Sequence, residues 1–90
     1  MFEFDPDKAT VNVRKHGVSF ADAEGVFLDS LAIHRDDADG DYDEERYVAL
    51  GMNNIGQLLV VVYTLRDDNV RLISARRATR RERKQYESGI

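Results

Sequence analysis

The chain has 90 residues, no cysteine and a formal net charge of −4 at pH 7. This length allows one domain with a modest core, so we expect a single domain over residues 1–90. The absence of cysteine excludes a disulfide framework and thiol chemistry. No apolar run is long enough to span a bilayer, and the acidic N-terminus lacks the layout of a signal peptide. The expected location is therefore the cytoplasm, with no membrane partner.

The charge is distributed unevenly along the chain. Residues 1–45 carry a net charge of −9 and residues 46–90 a net charge of +5. Between residues 71 and 84 there are seven Lys/Arg and one Glu, a local net charge of +6. Clustered arginine beside a buried sheet is typical of phosphate binding. The alternative is that the two halves neutralise each other in the folded protein.

The N-terminal third predicts a short strand followed by two helices. Residues 2–4 alternate apolar and acidic side chains, as a strand does. Asp5 can cap a helix with Pro6 in its first turn, and Gly17 fits the left-handed stop at its end. Ser19, with Asp22 three positions later, is expected to begin the second helix, which ends near residue 28. Ala9 and Val13 are expected to face the sheet, as are the apolar residues of the second helix.

The rest of the chain predicts four strands and a final helix, which begins with a capping box formed by Thr79 and Glu82. The most apolar strand, over residues 57–66, is expected at the centre of the sheet and buried on both faces. The fold class is α+β, a four-stranded antiparallel meander with two N-terminal helices and one C-terminal helix. The other expected strands cover residues 31–35, 46–52 and 70–77.

An acidic segment over residues 36–45 superficially resembles a calcium-binding loop. Gly40 is misplaced for that motif, and no Glu stands at the twelfth position. The segment is therefore interpreted as a solvated loop, and no metal site is predicted.

Two ordered motifs resemble the signatures of a known family. The first runs Phe2-x-Phe4-Asp5-x-x-Lys8, then Asn12-x-x-Lys15-His16-Gly17-Val18-Ser19-Phe20. The second runs Tyr63-Thr64-x-Arg66, then Arg71-x-Ile73-Ser74-Ala75-Arg76-x-Ala78 and Glu82-x-x-x-Tyr86. Together they resemble the N- and C-terminal signatures of the BrnT toxins over almost the whole chain. Phe4 is a departure, since members of that family often carry Trp there.

The resemblance implies a RelE-like fold and a toxin of a type II toxin–antitoxin system. It implies cleavage of RNA without a metal or cofactor, and an arrest of translation. The implied partner is a BrnA-like antitoxin with a ribbon-helix-helix domain, which neutralises the toxin in a hetero-oligomer. Operator DNA would then be bound only through that antitoxin.

Metal-free RNA cleavage needs a base, an acid and stabilisation of the phosphorane charge. Arginine provides planar bidentate donors for phosphate, so Arg66 and Arg76 are the first candidates, with Arg80 assisting. Lys15 or His16 is the candidate base, acid or phosphate clamp, since His titrates near neutral pH. The candidate RNA-binding cations are Arg77, Arg81, Arg83 and Lys84.

Each candidate also has a structural interpretation. His16 can favour the helix dipole, Lys15 can be a solvated helix residue, and Arg66 can form a surface ion pair. Tyr86 is expected to pack in the core rather than stack on a base. The expected hairpin, with its turn at Asp67-Asp68-Asn69, pairs Arg66 with Val70 and places Arg76 opposite Val60. The two arginines are then roughly 20 Å apart along the strands, too far to share one phosphate.

Two other functions use the same basic surface. A non-enzymatic RNA-binding module would need the arginines only as positioning charges. A protein-docking module would use residues 76–84 to bind an acidic or amphipathic helix. From the residues alone the binding module is favoured over the enzyme, and the resemblance reverses that order.

Overall fold

The computed structural model describes residues 1–37 and 45–89, and most of the acidic segment lies outside these ranges. The helices are α1 (Pro6–His16), α2 (Phe20–Glu24) and α3 (Arg80–Ser88), and a 3-10 turn, Gly25–Leu28, extends α2. The strands are β1 (Phe2–Glu3), β2 (Ile33–Asp36), β3 (Tyr47–Met52), β4 (Leu58–Arg66) and β5 (Asn69–Arg77). None of the helices in the described ranges has the length and apolar character needed to cross a membrane.

The helix ends follow the local signals in the sequence. Asp5 caps α1 by accepting a hydrogen bond from the Asp7 backbone N–H, and Gly17 ends the helix at a φ of 70°. Thr79 and Glu82 form the complete capping box that begins α3, as predicted. These caps satisfy backbone groups that a helix end otherwise leaves unpaired. The second helix is shorter than expected, since its last residues wind as a 3-10 turn.

Within residues 1–37 and 45–89 the sheet has five strands, in the order β1-β5-β4-β3-β2. The predicted four-stranded antiparallel meander is therefore wrong in one respect. The meander from β2 to β5 is antiparallel as predicted. The N-terminal strand adds to it as a fifth strand, parallel to β5, with Phe2 opposite Val70. The sheet is therefore mixed, and the long chain between β1 and β5 makes the parallel pairing possible.

The β4–β5 hairpin differs slightly from the predicted one. Its turn contains two residues, Asp67 and Asp68, which both have positive φ, and Arg66 pairs with Asn69 rather than Val70. Such a turn matches the twist of the strands, and Asp tolerates this conformation better than most residues. An irregularity beside Val62 then restores the predicted register, in which Arg76 lies opposite Val60.

The central strand β4 is buried on both faces, as predicted, and the two faces belong to different clusters. Leu59 and Val61 pack with Phe20, Val26 and other residues of the α2 side. On the opposite face, α3 packs its Tyr86, and Ala78 before it, against a smaller cluster. That cluster consists of Leu50, Leu58 and Val60.

Helix α1 turns a different side to the sheet than the sequence predicts. Ala9 packs against the core as expected, but Val13 is 49 % exposed. The buried residue of this helix is Asn12, which is only 4 % exposed. A buried amide is stable only when its polar groups are hydrogen-bonded, and its partners lie on β5 and just after α1.

Candidate nucleic-acid interface and active site

Asn12 closes the outer edge of β5 where β1 no longer covers it. Its amide nitrogen donates to the backbone oxygens of Ala75 and Val18, each at 2.8 Å. Its side-chain oxygen accepts a hydrogen bond from the Ala75 N–H at 3.0 Å. One side chain therefore pairs both backbone groups of Ala75 and fixes the middle of α1 against the strand, directly before Arg76.

Arg76 points to the other face of the sheet, where α3 packs, and forms a bidentate ion pair with Glu82. Its Nη1 and Nη2 atoms donate to Oε1 and Oε2 of Glu82, both at 2.8 Å. Nη1 also donates to the backbone oxygen of Arg77 at 3.2 Å. The hydrogen bond from Arg76 is the main reason that the pKa of Glu82 falls to about 2, so the carboxylate is ionised at neutral pH.

Five of the sequence-predicted cations lie on the surface at this end of the molecule. All are exposed, and none forms an ion pair with any residue in the ranges 1–37 and 45–89. An exposed group of unneutralised cations attracts a polyanion. The five are Arg77, Arg80, Arg81, Arg83 and Lys84.

Lys15 and His16 lie together in the last turn of α1 and are exposed. They line an open groove of about 280 Å³ between α1 and β5, which Ile73 and Ser74 also line. Because Asn12 fixes this helix at Ala75, the two side chains lie beside the part of β5 that leads into Arg76. The structure thus places Lys15 and His16 beside the same half of β5 as Arg76, although α1 packs on the sheet face opposite to the one to which Arg76 points.

A second open cavity, of about 310 Å³, lies between α3 and the sheet. Glu82 and Gln85 line it from the helix, and Arg35 and Val48 line it from β2 and β3. Because Glu82 also holds Arg76, this cavity borders the ion pair. Among the described residues that line it, the charged groups are one cation, Arg35, and the carboxylates of Asp36, Asp37 and Glu82. It is therefore a poorer match for phosphate than the exposed end of α3.

Arg66 lies at the opposite end of β4 from the partner of Arg76. Arg76 pairs with Val60, six residues before Arg66 along β4. At about 3.3 Å per residue this corresponds to roughly 20 Å, which confirms that the two arginines belong to different regions. Among the catalytic residues predicted from the sequence, Arg66 therefore lies apart from the other four, which lie in the second half of β5, border it or follow it.

Two tyrosine networks were not identified from the sequence. Tyr63 shares a 2.9 Å hydrogen bond with Nδ1 of His34, and its ring packs edge-on against Phe27 at 4.9 Å. Tyr86 donates to Oδ2 of Asp29 at 2.6 Å, and this bond raises the pKa of Tyr86 to about 12. Tyr86 also packs against the smaller core cluster, as predicted, and it anchors the end of α3 there.

The described part of the chain contains no group of three or more His, Cys, Asp or Glu side chains arranged to hold a metal ion. The hydrogen-bonded arginine and the exposed cations are suited to binding a phosphodiester, and Lys15 and His16 are residue types that can transfer protons. These features define the candidate site as the half of β5 that leads into α3.

Comparison with protein families gives a match over residues 4–82 to the family described as the ribonuclease toxin, BrnT, of type II toxin–antitoxin systems. The chain belongs to this family. Comparison with curated protein sequences finds no match.

Among solved structures, the fold is similar to the Brucella abortus ribonuclease toxin BrnT, whose crystal structure was determined at 1.1 Å resolution. The TM-score is 0.66 at 25 % sequence identity, and the alignment covers 89 % of this chain and 99 % of the Brucella chain. The BrnT fold therefore extends over nearly the whole domain, and membership of a type II system implies an antitoxin partner and an RNA target.

Proposed function

We propose that this BrnT-family chain is a metal-independent endoribonuclease that cuts RNA beside the second half of β5. The observation that supports this most directly is the arrangement around Arg76. A guanidinium held by two hydrogen bonds to Glu82 lies on the half of β5 that Lys15 and His16 of α1 border, and the exposed cations of α3 follow it directly in the chain. RNA bound along the cations would bring a phosphodiester to that guanidinium.

The chemistry requires no metal if the side chains move the protons. A base takes the proton of the ribose 2′-OH, the 2′-oxygen attacks phosphorus, and the bond from phosphorus to the 5′-oxygen breaks. An acid then protonates the leaving 5′-oxygen, giving a 2′,3′-cyclic phosphate and a 5′-OH. In this proposal Lys15 and His16 act as acid and base, while Arg76 and Arg80 stabilise the charge on the phosphorane oxygens.

Arg66 receives a different role in this proposal. Its distance of roughly 20 Å from Arg76 corresponds to several nucleotides of extended RNA. Arg66 is therefore proposed to hold flanking RNA or a partner, not the scissile phosphate. The exposed cations Arg77, Arg81, Arg83 and Lys84 bind the backbone of the substrate without reading its sequence.

The finer biological setting is also proposed. We infer that cleavage occurs in the cytoplasm and inhibits translation. The antitoxin is proposed to be a BrnA-like ribbon-helix-helix protein, which neutralises the toxin in a hetero-oligomer and carries it to operator DNA. The motif resemblance and the family membership support this setting. Co-expression with the neighbouring gene product, followed by size-exclusion chromatography and an operator-binding assay, would test it.

The ribonuclease proposal is tested with a 5′-labelled RNA in the presence of EDTA. We expect cleavage by the purified chain, and products that end in a 2′,3′-cyclic phosphate. His16→Ala and Lys15→Ala should each reduce the rate, because each removes a group that can move a proton. Binding of RNA without cleavage would instead support the RNA-binding module, and cleavage that stops in EDTA would contradict metal independence.

A further inference from the structure

The hydrogen bonds of Arg76 use only part of its guanidinium. The group has five N–H donors, of which two bind Glu82 and one, on Nη1, binds the Arg77 oxygen. No residue in the ranges 1–37 and 45–89 accepts a hydrogen bond from Nε or from the second N–H of Nη2. The side chain of Arg76 is also 42 % exposed, so these donors remain accessible.

The two remaining donors have a useful geometry. Nε–H and the outer N–H of Nη2 lie along the same edge of the planar guanidinium and point in parallel directions. Two parallel N–H donors match two oxygens of one phosphate group. The ion pair with Glu82 occupies a different edge, so a phosphate can bind Arg76 while Glu82 stays bound.

Glu82 is itself fixed in position. Its Oε1 accepts the backbone N–H of Thr79 at 2.8 Å, and its own backbone N–H donates to the Thr79 hydroxyl at 3.2 Å. The helix that carries it is anchored on the sheet through Ala78 and Tyr86. Both terminal nitrogens of Arg76 are hydrogen-bonded to the two carboxylate oxygens of Glu82. Because this carboxylate is fixed, it also fixes the orientation of the guanidinium.

We propose that Glu82 is a positioning residue, which holds Arg76 so that the Nε–Nη2 edge of its guanidinium faces the scissile phosphate. This inference rests on the proposed ribonuclease function. It gives a role at the site to Glu82, for which the sequence pattern indicated a helix cap and a position in the family signature. Glu82 contacts no substrate in this scheme. It acts because an arginine already fixed in its reactive orientation loses no further freedom in the transition state.

A double-mutant cycle of Glu82→Gln and Arg76→Ala tests the inference. The glutamine side chain would keep one acceptor for the Thr79 N–H but would present an amide NH₂ to the guanidinium, so the bidentate pair is lost. We expect Glu82→Gln to lower kcat by about 100-fold, with KM little changed. In the Arg76→Ala background the same change should have almost no further effect, since the residue it positions is absent.

Thr79→Ala provides a matched control for damage to the helix start. It breaks the other half of the capping box but leaves the pair of Arg76 and Glu82 in place. We expect it to lower Tm while kcat stays near the wild-type value. A kcat for Thr79→Ala as low as that for Glu82→Gln would overturn the inference, and so would an undiminished effect of Glu82→Gln in the Arg76→Ala background.

A binding experiment separates this inference from the proposed function. In ¹⁵N-labelled protein, titration with inorganic phosphate should shift the Nε–H signal of Arg76, and Glu82→Gln should weaken that response. The orienting role stands if these shifts appear, even in a chain that cuts no RNA. Equal phosphate responses in wild type and Glu82→Gln would contradict the role of Glu82, even if Arg76→Ala abolishes cleavage.

Discussion

The two halves of β5 are bordered in different ways. In the first half, residues 69–71, β1 pairs with the strand, and Arg71 makes a single 3.2 Å ion pair with Glu3. In the second half, residues 74–77, β1 no longer pairs with the strand, and side chains take its place. Asn12 pairs the backbone of Ala75 at the edge, and Glu82 holds Arg76 on the opposite face by two bonds of 2.8 Å.

This difference shows how the edge of one strand can be covered in its first half and stay open in its second half. A neighbouring strand satisfies the backbone but covers the edge, as β1 does in the first half. In the second half, the buried amide of Asn12 alone forms hydrogen bonds with the N–H and the carbonyl of Ala75, and it covers a smaller part of the strand edge. It leaves room beside the strand for the groove that Lys15 and His16 line. Both halves carry an arginine with a carboxylate partner, so the chain offers its own matched controls.

Asn12→Ala should destabilise the protein more than the other variants described below. The change leaves the Ala75 N–H, the Ala75 carbonyl and the Val18 carbonyl without their partner. We expect a loss of about 3 kcal/mol in the free energy of unfolding, measured by urea denaturation. Asn69→Ala is the control in the first half, because its amide makes one long bond of 3.4 Å to Glu3. Equal losses for both variants would contradict the difference between the halves.

The next effect concerns the helix that begins just after the second half of β5. Replacing Arg80, Arg83 and Lys84 together with Ala should reduce the salt dependence of RNA binding. The slope of log K against log salt should fall by about 2, since each phosphate contact on a single strand contributes about 0.7. Fluorescence anisotropy with a short labelled RNA measures it. Arg71→Ala should leave the slope unchanged, and a similar fall for Arg71→Ala would place RNA along the whole strand.

A smaller effect is expected in the pH dependence of stability. The pKa of Glu82 is lowered to about 2, chiefly by its hydrogen bond from Arg76, whereas a Glu in an unfolded chain titrates near about 4.3. A carboxyl group whose pKa is lower in the folded than in the unfolded protein stabilises the fold at pH values above its unfolded-state pKa. That stabilisation is lost as the pH falls towards 2.

Since the pair is partly exposed, we expect the contribution of Glu82 to be about 1 kcal/mol. Glu82→Gln should remove this acid-dependent part of the unfolding free energy, measured by denaturation at a series of pH values. Glu3→Gln, which removes the single-bonded pair, should cost less at pH 7 than Glu82→Gln. The reverse order would show that the bidentate geometry contributes no additional stability.

The sequence predicted features that depend on near neighbours. The caps at Asp5, Gly17 and Thr79 are set by residues within one turn, and the apolar run of β4 marks a strand buried on both faces. The alternation in residues 2–4 correctly predicts a strand there. It carries no information about the partner strand, so the parallel pairing with β5 was missed.

The features that define the candidate site depend on residues far apart in the chain. Asn12 and Ala75 are separated by 63 positions, and the amide alone does not reveal that it faces a strand edge. The spacing of Thr79 and Glu82 predicts the capping box. The contact between Glu82 and Arg76 depends instead on the angle between β5 and α3, which the pattern does not specify. The pairing of His34 with Tyr63 depends on the register across β3, which the sequence specifies only approximately.

We propose that Arg76, in the second half of β5, is the arginine that acts at the scissile phosphate. Single-turnover cleavage of labelled RNA in EDTA by Arg76→Ala and Arg71→Ala compares two arginines on the same strand, each with a carboxylate partner. We predict that Arg76→Ala is slower than wild type by about 100- to 1,000-fold, because it removes donors to the phosphorane. Arg71→Ala should cleave at a rate close to that of wild type. Equal rates for the two variants, or a larger loss for Arg71→Ala, would contradict this role of Arg76.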